Sequence, residues 1–294
     1  MQLRGVGTAL ITPFKSDGSL DEAALRKHVA WQVESGVNFL VPCGTTGETP
    51  TLTDDEVRRV LEIVVEANAG RVPVIAGATS NSTADAIGKT KSAAALKGID
   101  GILSASPYYN KPTQQGQYEH FRAIAESTDK PIILYTVPGR SAANIEPATV
   151  ARLAEIKNIV AVKEASGNMA QIAEVCAVVP KDFTVLSGDD SITLAVIAHG
   201  GRGIISVCSN EIPREMAELC DAALSGDFPR AQRIQRKFIA LMQANFIESN
   251  PIPVKAVLAM MGRIEENYRL PMCRISDANR ARLEKIVRSC GLIS

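Results

Sequence analysis

Short apolar runs recur along the first two thirds of the chain, each followed by a polar loop and then by apolar residues at helical spacing. The runs cover residues 5–11, 39–43, 72–76, 101–104, 132–135, 159–163, 184–186 and 203–207. Near-continuous apolar runs suit parallel strands covered on both faces, and parallel strands need crossover segments of the kind the helical stretches supply. Eight such units predict a closed (β/α)8 TIM barrel, with an open doubly wound sheet as the alternative. Either architecture places its chemistry at the carboxyl ends of the strands. Helix starts are legible too: Ser19-x-x-Glu22 and Thr53-x-x-Glu56 read as capping boxes, and Pro147 and Pro213 suit a first helical position.

After the eighth run only helical periodicity continues, over 215–224, 229–246, 251–261 and 277–290. This predicts a barrel over residues 1–225 and a C-terminal helical extension over 226–294. No low-complexity linker separates the two, so the extension is expected to pack on the barrel or on another subunit.

Composition narrows the partner. Hydrophobic residues make up 46% of the 294 and charged residues 22%, ordinary for a chain with a large core. Thirty-two lysines and arginines balance 32 aspartates and glutamates, so no basic field draws the protein to nucleic acid or anionic lipid. A small molecule is the expected partner. The six cysteines are scattered without a C-x-x-C pair, which predicts reduced thiols and no structural metal. The N-terminal stretch lacks a leader-like apolar run, and no segment offers about 20 uninterrupted apolar residues. The expected location is the cytoplasm, with no membrane partner.

Lys163 ends the sixth run, Ile159-Val160-Ala161-Val162-Lys163. A lysine at the mouth of an apolar strand can point into a barrel, where desolvation lowers its pKa toward that of an imine-forming nucleophile. The plainer alternative is a lysine that snorkels to solvent. Tyr135 ends the neighbouring fifth run, where a phenol can pass protons to the same cavity or sit half-buried with its hydroxyl paired. Gly44-Thr45-Thr46-Gly47-Glu48 follows the second run; its small residues let backbone N–H groups and two hydroxyls converge on a carboxylate, although Gly/Thr turns are common. Thr46 is also within reach of Tyr135 on this reading. Arg140, after the fifth run, can clamp a carboxylate or be a solvated loop residue. Tyr108 and Tyr109 in the fourth loop suit a direct role, an exposed loop or an oligomer contact. Ser187-Gly188-Asp189-Asp190 argues against the phosphate site often built after strands seven and eight. His28, His120 and His199 fall in predicted helices, where packed or solvated roles outweigh a metal cluster.

G-T-T-G-E, P-Y-Y-N-K-P, Y-x-V-P-G-R, V-x-V-K-E-A-S-G and S-G-D-D, in this order and over nearly the whole chain, resemble the dihydrodipicolinate synthase family. That family sits within the class I, metal-independent barrel aldolases that also include N-acetylneuraminate lyase and 2-keto-3-deoxy sugar-acid aldolases. The resemblance implies that Lys163 forms the imine with pyruvate and that Tyr135 shuttles protons. It further implies that Thr46 couples Tyr135 to Tyr109 of a neighbouring subunit, that Thr45 and Thr46 hold the pyruvate carboxylate, and that Arg140 holds that of L-aspartate 4-semialdehyde. Gly188 and Ile205 match positions lining the pyruvate site. No cofactor is implied, and the assembly implied is a homotetramer of tight dimers.

Two departures accompany the resemblance. Thr136 stands where the family usually has Asn, and Ser141-Ala142-Ala143 replaces the usual Thr-Gly. Many members are also inhibited by lysine in a pocket at the dimer interface. Of that pocket Asn81 and Tyr108 are kept, but the two histidine positions are Asp54 and Val57, and the glutamate position is Asp85, which implies weak feedback. Two rival functions share the sequence pattern: a sugar-acid or sialic-acid lyase using the same imine, and a catalytically silent barrel that binds a metabolite.

Overall fold

Eight parallel strands, each followed by a helix, wind into a barrel in a computed structural model that describes residues 3–294. They are β1 Gly5–Ala9, β2 Phe39–Val41, β3 Ile75–Gly77, β4 Gly101–Ala105, β5 Ile132–Thr136, β6 Ile159–Glu164, β7 Thr184–Ser187 and β8 Gly203–Ser206. Their order is β2-β1-β8-β7-β6-β5-β4-β3. The last gap, between β2 and β3, is spanned by a parallel Leu40–Val74 bridge and by Leu40 N–H donating to Pro73 O at 2.9 Å. The (β/α)8 barrel is thus the fold, and the open doubly wound alternative falls.

Strand parity explains why the runs are apolar throughout. Val6, Leu40, Ile102, Leu134, Val162 and Val185 face the surrounding helices in one large core. Phe39, Ile75, Leu103, Ile133, Ala161 and Leu186 fill the barrel interior. Alternating side chains are therefore buried on both faces, as the period-2 geometry of a covered strand requires. Gly7 leaves room for the Phe39 ring, since a Cβ there would lie 2.0 Å from it.

Local signals at the helix starts are mostly as read. Thr53 and Glu56 form a reciprocal capping box, and Pro147 and Pro213 open their helices. Ser19 is the exception. The helix Glu22–Glu34 is capped by Asp21, whose carboxylate accepts from Ala24 N–H at 2.9 Å. Ser19 instead donates to Asp17 at 2.6 Å, because residues 15–19 fold into a turn of their own that draws Ser19 away from the helix.

Beyond the eighth barrel helix, Pro213–Leu224, lie helices Phe228–Ala244, Ile252–Met260 and Asp277–Ser289. Phe238 and Leu241 share the outer core with Leu219 and Cys220. Val254 and Leu258 pack with Ile11 and Val207 just past β1 and β8, so the helix Ile252–Met260 lies at the carboxyl mouth of the barrel. Among the described residues no helix is long and apolar enough to cross a membrane.

Candidate active site

Lys163 and Tyr135 are register partners on β6 and β5, so their side chains leave adjacent strands at the same height. Ala161 and Ile133, two residues earlier, face the barrel interior, and parity carries Lys163 and Tyr135 to the same side. Lys163 is 5% exposed, with Nζ 4.4 Å from the centre of the Tyr135 ring. Burial lowers the lysine pKa from 10.5 to about 8; the Asp190 carboxylate opposes the shift and the Arg140 guanidinium adds to it. Burial raises Tyr135 to about 12, which keeps its phenol protonated at neutral pH. Asp190 is itself buried, accepting from Ser206 Oγ and from the backbone N–H groups of Val207 and Cys208 at 3.1 and 3.2 Å.

These two side chains line a cavity of about 470 Å³ together with Thr45, Thr46, Arg140 and Gly188. Thr45–Gly47 is one turn of 3-10 helix after β2, and the N–H groups opening such a turn have no intrahelical acceptor. They and the threonine hydroxyls are available to an anion. Gly188 lies over Lys163: a Cβ on it would stand 2.5 Å from Ala165 Cβ and 3.1 Å from Lys163 Cε. On the imine role expected of Lys163 from the sequence, Gly188→Ala should displace the lysine and slow trapping of pyruvate by borohydride; an unchanged trapping rate would refute the crowding.

Two predicted residues lie elsewhere. Ile205 is wholly buried in the interior cluster beside Tyr135 and does not line the cavity. Tyr109 is 88% exposed with φ 73°, outside the cavity of its own chain. Thr46 Oγ1 accepts from Asn250 Nδ2 at 2.9 Å, and among the described residues no hydrogen bond joins it to Tyr135. Thr136 points outward by parity: its hydroxyl donates to Asn144 Oδ1 at 3.2 Å and accepts from Ile145 N–H at 3.1 Å. The Thr136 departure therefore falls behind the strand, away from the cavity.

Known proteins match this chain over its length. The model of the dihydrodipicolinate synthetase family matches residues 2–290. The chain belongs to that family. It is 64% identical to a 4-hydroxy-tetrahydrodipicolinate synthase of Koribacter versatilis, over 100% of this chain and 98% of the relative. The solved dihydrodipicolinate synthase of Thermotoga maritima superposes with a TM-score of 0.97 at 43% identity, covering 100% of both chains. That of Acinetobacter baumannii, complexed with pyruvate, also gives 0.97, at 40% identity over 99% of this chain and 100% of the other.

Within this dihydrodipicolinate synthetase family member, sequence reasoning missed a whole wall of the site. Phe246, Glu248, Ser249 and Asn250, between two C-terminal helices, close the cavity. Asn250 donates to Thr46, and its backbone oxygen accepts from Arg140 Nη2 at 3.3 Å, so one residue touches both proposed carboxylate-binding groups. Its polar Ser-Asn-Pro break was visible, but nothing local says which end of the barrel it reaches. The histidines play packed or solvated parts: His28 bonds Asn210 at 2.9 Å, His120 bonds Thr83 at 2.9 Å, and His199 is exposed.

Proposed function

We propose that Lys163 forms an imine with pyruvate and that the derived enamine condenses with L-aspartate 4-semialdehyde, yielding 4-hydroxy-tetrahydrodipicolinate for lysine and diaminopimelate synthesis. The observation carrying this reading is a buried lysine with a lowered pKa beside a protonated tyrosine in one cavity. The neutral amine attacks the carbonyl carbon, and the Tyr135 phenol protonates the departing hydroxide. The iminium then withdraws electrons as the Tyr135 phenolate left by that transfer takes a methyl proton, which forms the enamine and restores the phenol. The enamine attacks the aldehyde carbon, and the amine of the semialdehyde displaces Lys163 by transimination, closing the ring. Thr45 and Thr46 receive the pyruvate carboxylate and Arg140 that of the semialdehyde.

Arg140 in the cavity suits a short aldehyde that carries a carboxylate, while Asp189, Glu248 and Ser249 offer partners to the hydroxyls of the sugar-acid lyase alternative. Assay with aspartate semialdehyde, N-acetylneuraminate and 2-keto-3-deoxygluconate decides between them. Turnover of the first alone is expected; preferential cleavage of either sugar acid would replace the reading, and absence of turnover with all three would favour a silent binding barrel.

Imine formation should follow the neutral fraction of Lys163. Trapping at limiting pyruvate is expected to rise with pH and level off above about 8, being about tenfold slower at pH 7 than on the plateau. An inflection near 10.5, or a flat profile, would contradict the buried-amine account.

Assembly follows from the same reading: a homotetramer of tight dimers in which Tyr109 reaches a neighbouring site. The exposed Tyr108–Tyr109 pair supports such a contact. Regulation by lysine should be weak. Asp54, Val57 and Asp85 line a separate cavity of about 300 Å³, where Lys89 Nζ stands 2.9 Å from Asp85 and occupies the carboxylate an incoming α-amino group would need. Less than half-inhibition at sub-millimolar lysine is expected in initial-rate assays; half-inhibition in that range would show a working pocket.

A further inference from the structure

A second buried lysine stands at the mouth of the barrel. Lys255, in the helix Ile252–Met260, is 0% exposed, and its Nζ lies 2.6 Å from Oε1 of Glu48, whose side chain is 1% exposed. Glu48 closes the Gly44–Glu48 loop with φ at 51°, a left-handed conformation that a residue with a Cβ holds only when its surroundings impose it. Three further bonds fix the loop. Lys255 Nζ donates to Thr12 O at 3.1 Å, Thr12 Oγ1 donates to Gly47 O at 2.7 Å, and Arg269 N–H donates to Glu48 Oε2 at 3.4 Å. Gly47 is pressed close beneath, where a Cβ would be 3.2 Å from Leu10 O.

A buried ion pair is a poor device for stability alone, because desolvating two charges offsets most of their attraction. Here burial pulls the Lys255 pKa down while the Glu48 carboxylate pushes it back up. What the pair does supply is geometry. Asn250 and Lys255 sit at one end of the same short segment, with Lys255 N–H bonded to Pro251 O at 3.1 Å; Asn250 holds Thr46 and Lys255 holds Glu48. The C-terminal segment thus grips the loop at two points on either side of Gly47. Lys255 also cancels the one formal charge that the loop itself would set against an incoming anion.

We infer that the buried Glu48–Lys255 pair is a positioning pair for the proposed reaction, setting Thr45 and Thr46 to receive the carboxylate of the 2-oxo acid. This rests on the reading of the site as a pyruvate-imine centre. Neither residue lines the cavity, so both act through the loop. The pair makes 2-oxo acid recognition depend on residues 204 and more positions away, in the extension rather than the barrel.

The test compares full-length wild type with Lys255→Met, Glu48→Gln and the double variant, reading the melting temperature, kcat and the KM of each substrate. Lys255→Met strands a buried carboxylate in the loop and should raise the pyruvate KM about tenfold or more, as small misplacements of binding groups do, with kcat and the semialdehyde KM changed far less. The double variant should recover part of that loss by removing the stranded charge. If Lys255→Met does not fold, Glu48→Gln, which keeps an acceptor for Nζ, should still raise the pyruvate KM severalfold.

A folded variant with unchanged pyruvate KM overturns the inference, as do equal losses in both KM values and kcat that track the melting temperature. Borohydride trapping of wild type with pyruvate keeps the two failures apart. Lack of a trapped adduct refutes the imine reading itself, whereas normal trapping beside an unchanged KM refutes only the positioning role.

Discussion

Replacing Lys163 with arginine removes turnover by about 10⁴-fold or more, the scale on which loss of a covalent nucleophile acts in an enzyme that keeps its binding groups. Arginine keeps the positive charge and much of the stem but has no amine able to add to a carbonyl and expel water. The substitution also separates chemistry from folding. Lys163 is tuned by burial, with the fixed Asp190 carboxylate limiting the shift, so arginine changes the nucleophile while leaving a cation at the same strand end. Circular dichroism and thermal melting should show a folded barrel, and rapid-quench assays should show no imine. A folded Lys163→Arg variant with wild-type turnover would remove Lys163 from the chemistry.

Arg140→Ala is expected to lower kcat/KM for aspartate semialdehyde about 100-fold, close to 2.7 kcal/mol at 1.36 kcal/mol per decade, the range of a charge-assisted pair lost from a partly desolvated site. Pyruvate trapping should change much less. The guanidinium lies at the cavity rim, anchored to the Asn250 backbone oxygen at 3.3 Å, while Lys163 lies buried at the end of β6. Arg140 adds modestly to the lowering of the Lys163 pKa, so its removal should shift the pH dependence of trapping slightly upward. Stopped-flow measurement of the two half-reactions separates these effects. Equal losses in trapping and condensation would show that Arg140 serves the first substrate as well.

The barrel was legible because its cause is local. A strand covered on both faces must be apolar at every position, and eight such runs alternating with amphipathic stretches leave few other architectures. Lys163 and Tyr135 were legible for the same reason, since each interrupts an apolar run at its carboxyl end. Strand parity then decides between neighbours that sequence alone cannot rank: Tyr135 faces the cavity while Thr136 bonds Asn144 outside the barrel. Thr136 looked like a change in the site and is a change behind it.

What escaped the sequence arises from contacts between distant segments. Asn250 reaches Thr46 across 204 residues, and Lys255 reaches Glu48 across 207. No periodicity marks a loop that will fold over a barrel mouth, and a lysine inside an apolar helix reads like any surface lysine until its partner is placed beside it. The Ser19 cap was misread for a smaller reason of the same kind, because a competing turn at 15–19 takes the hydroxyl. Tyr109 stays open to solvent in the isolated chain, so its proposed part needs a second subunit.

The central claim is that one lysine, set at the end of β6, carries the substrate. Incubation of the wild-type protein with pyruvate and borohydride, followed by peptide mass mapping, tests it most directly. The account predicts a single N-(1-carboxyethyl) adduct, at Lys163, accumulating in step with loss of activity; an adduct on any other lysine, or inactivation with Lys163 unmodified, would contradict it.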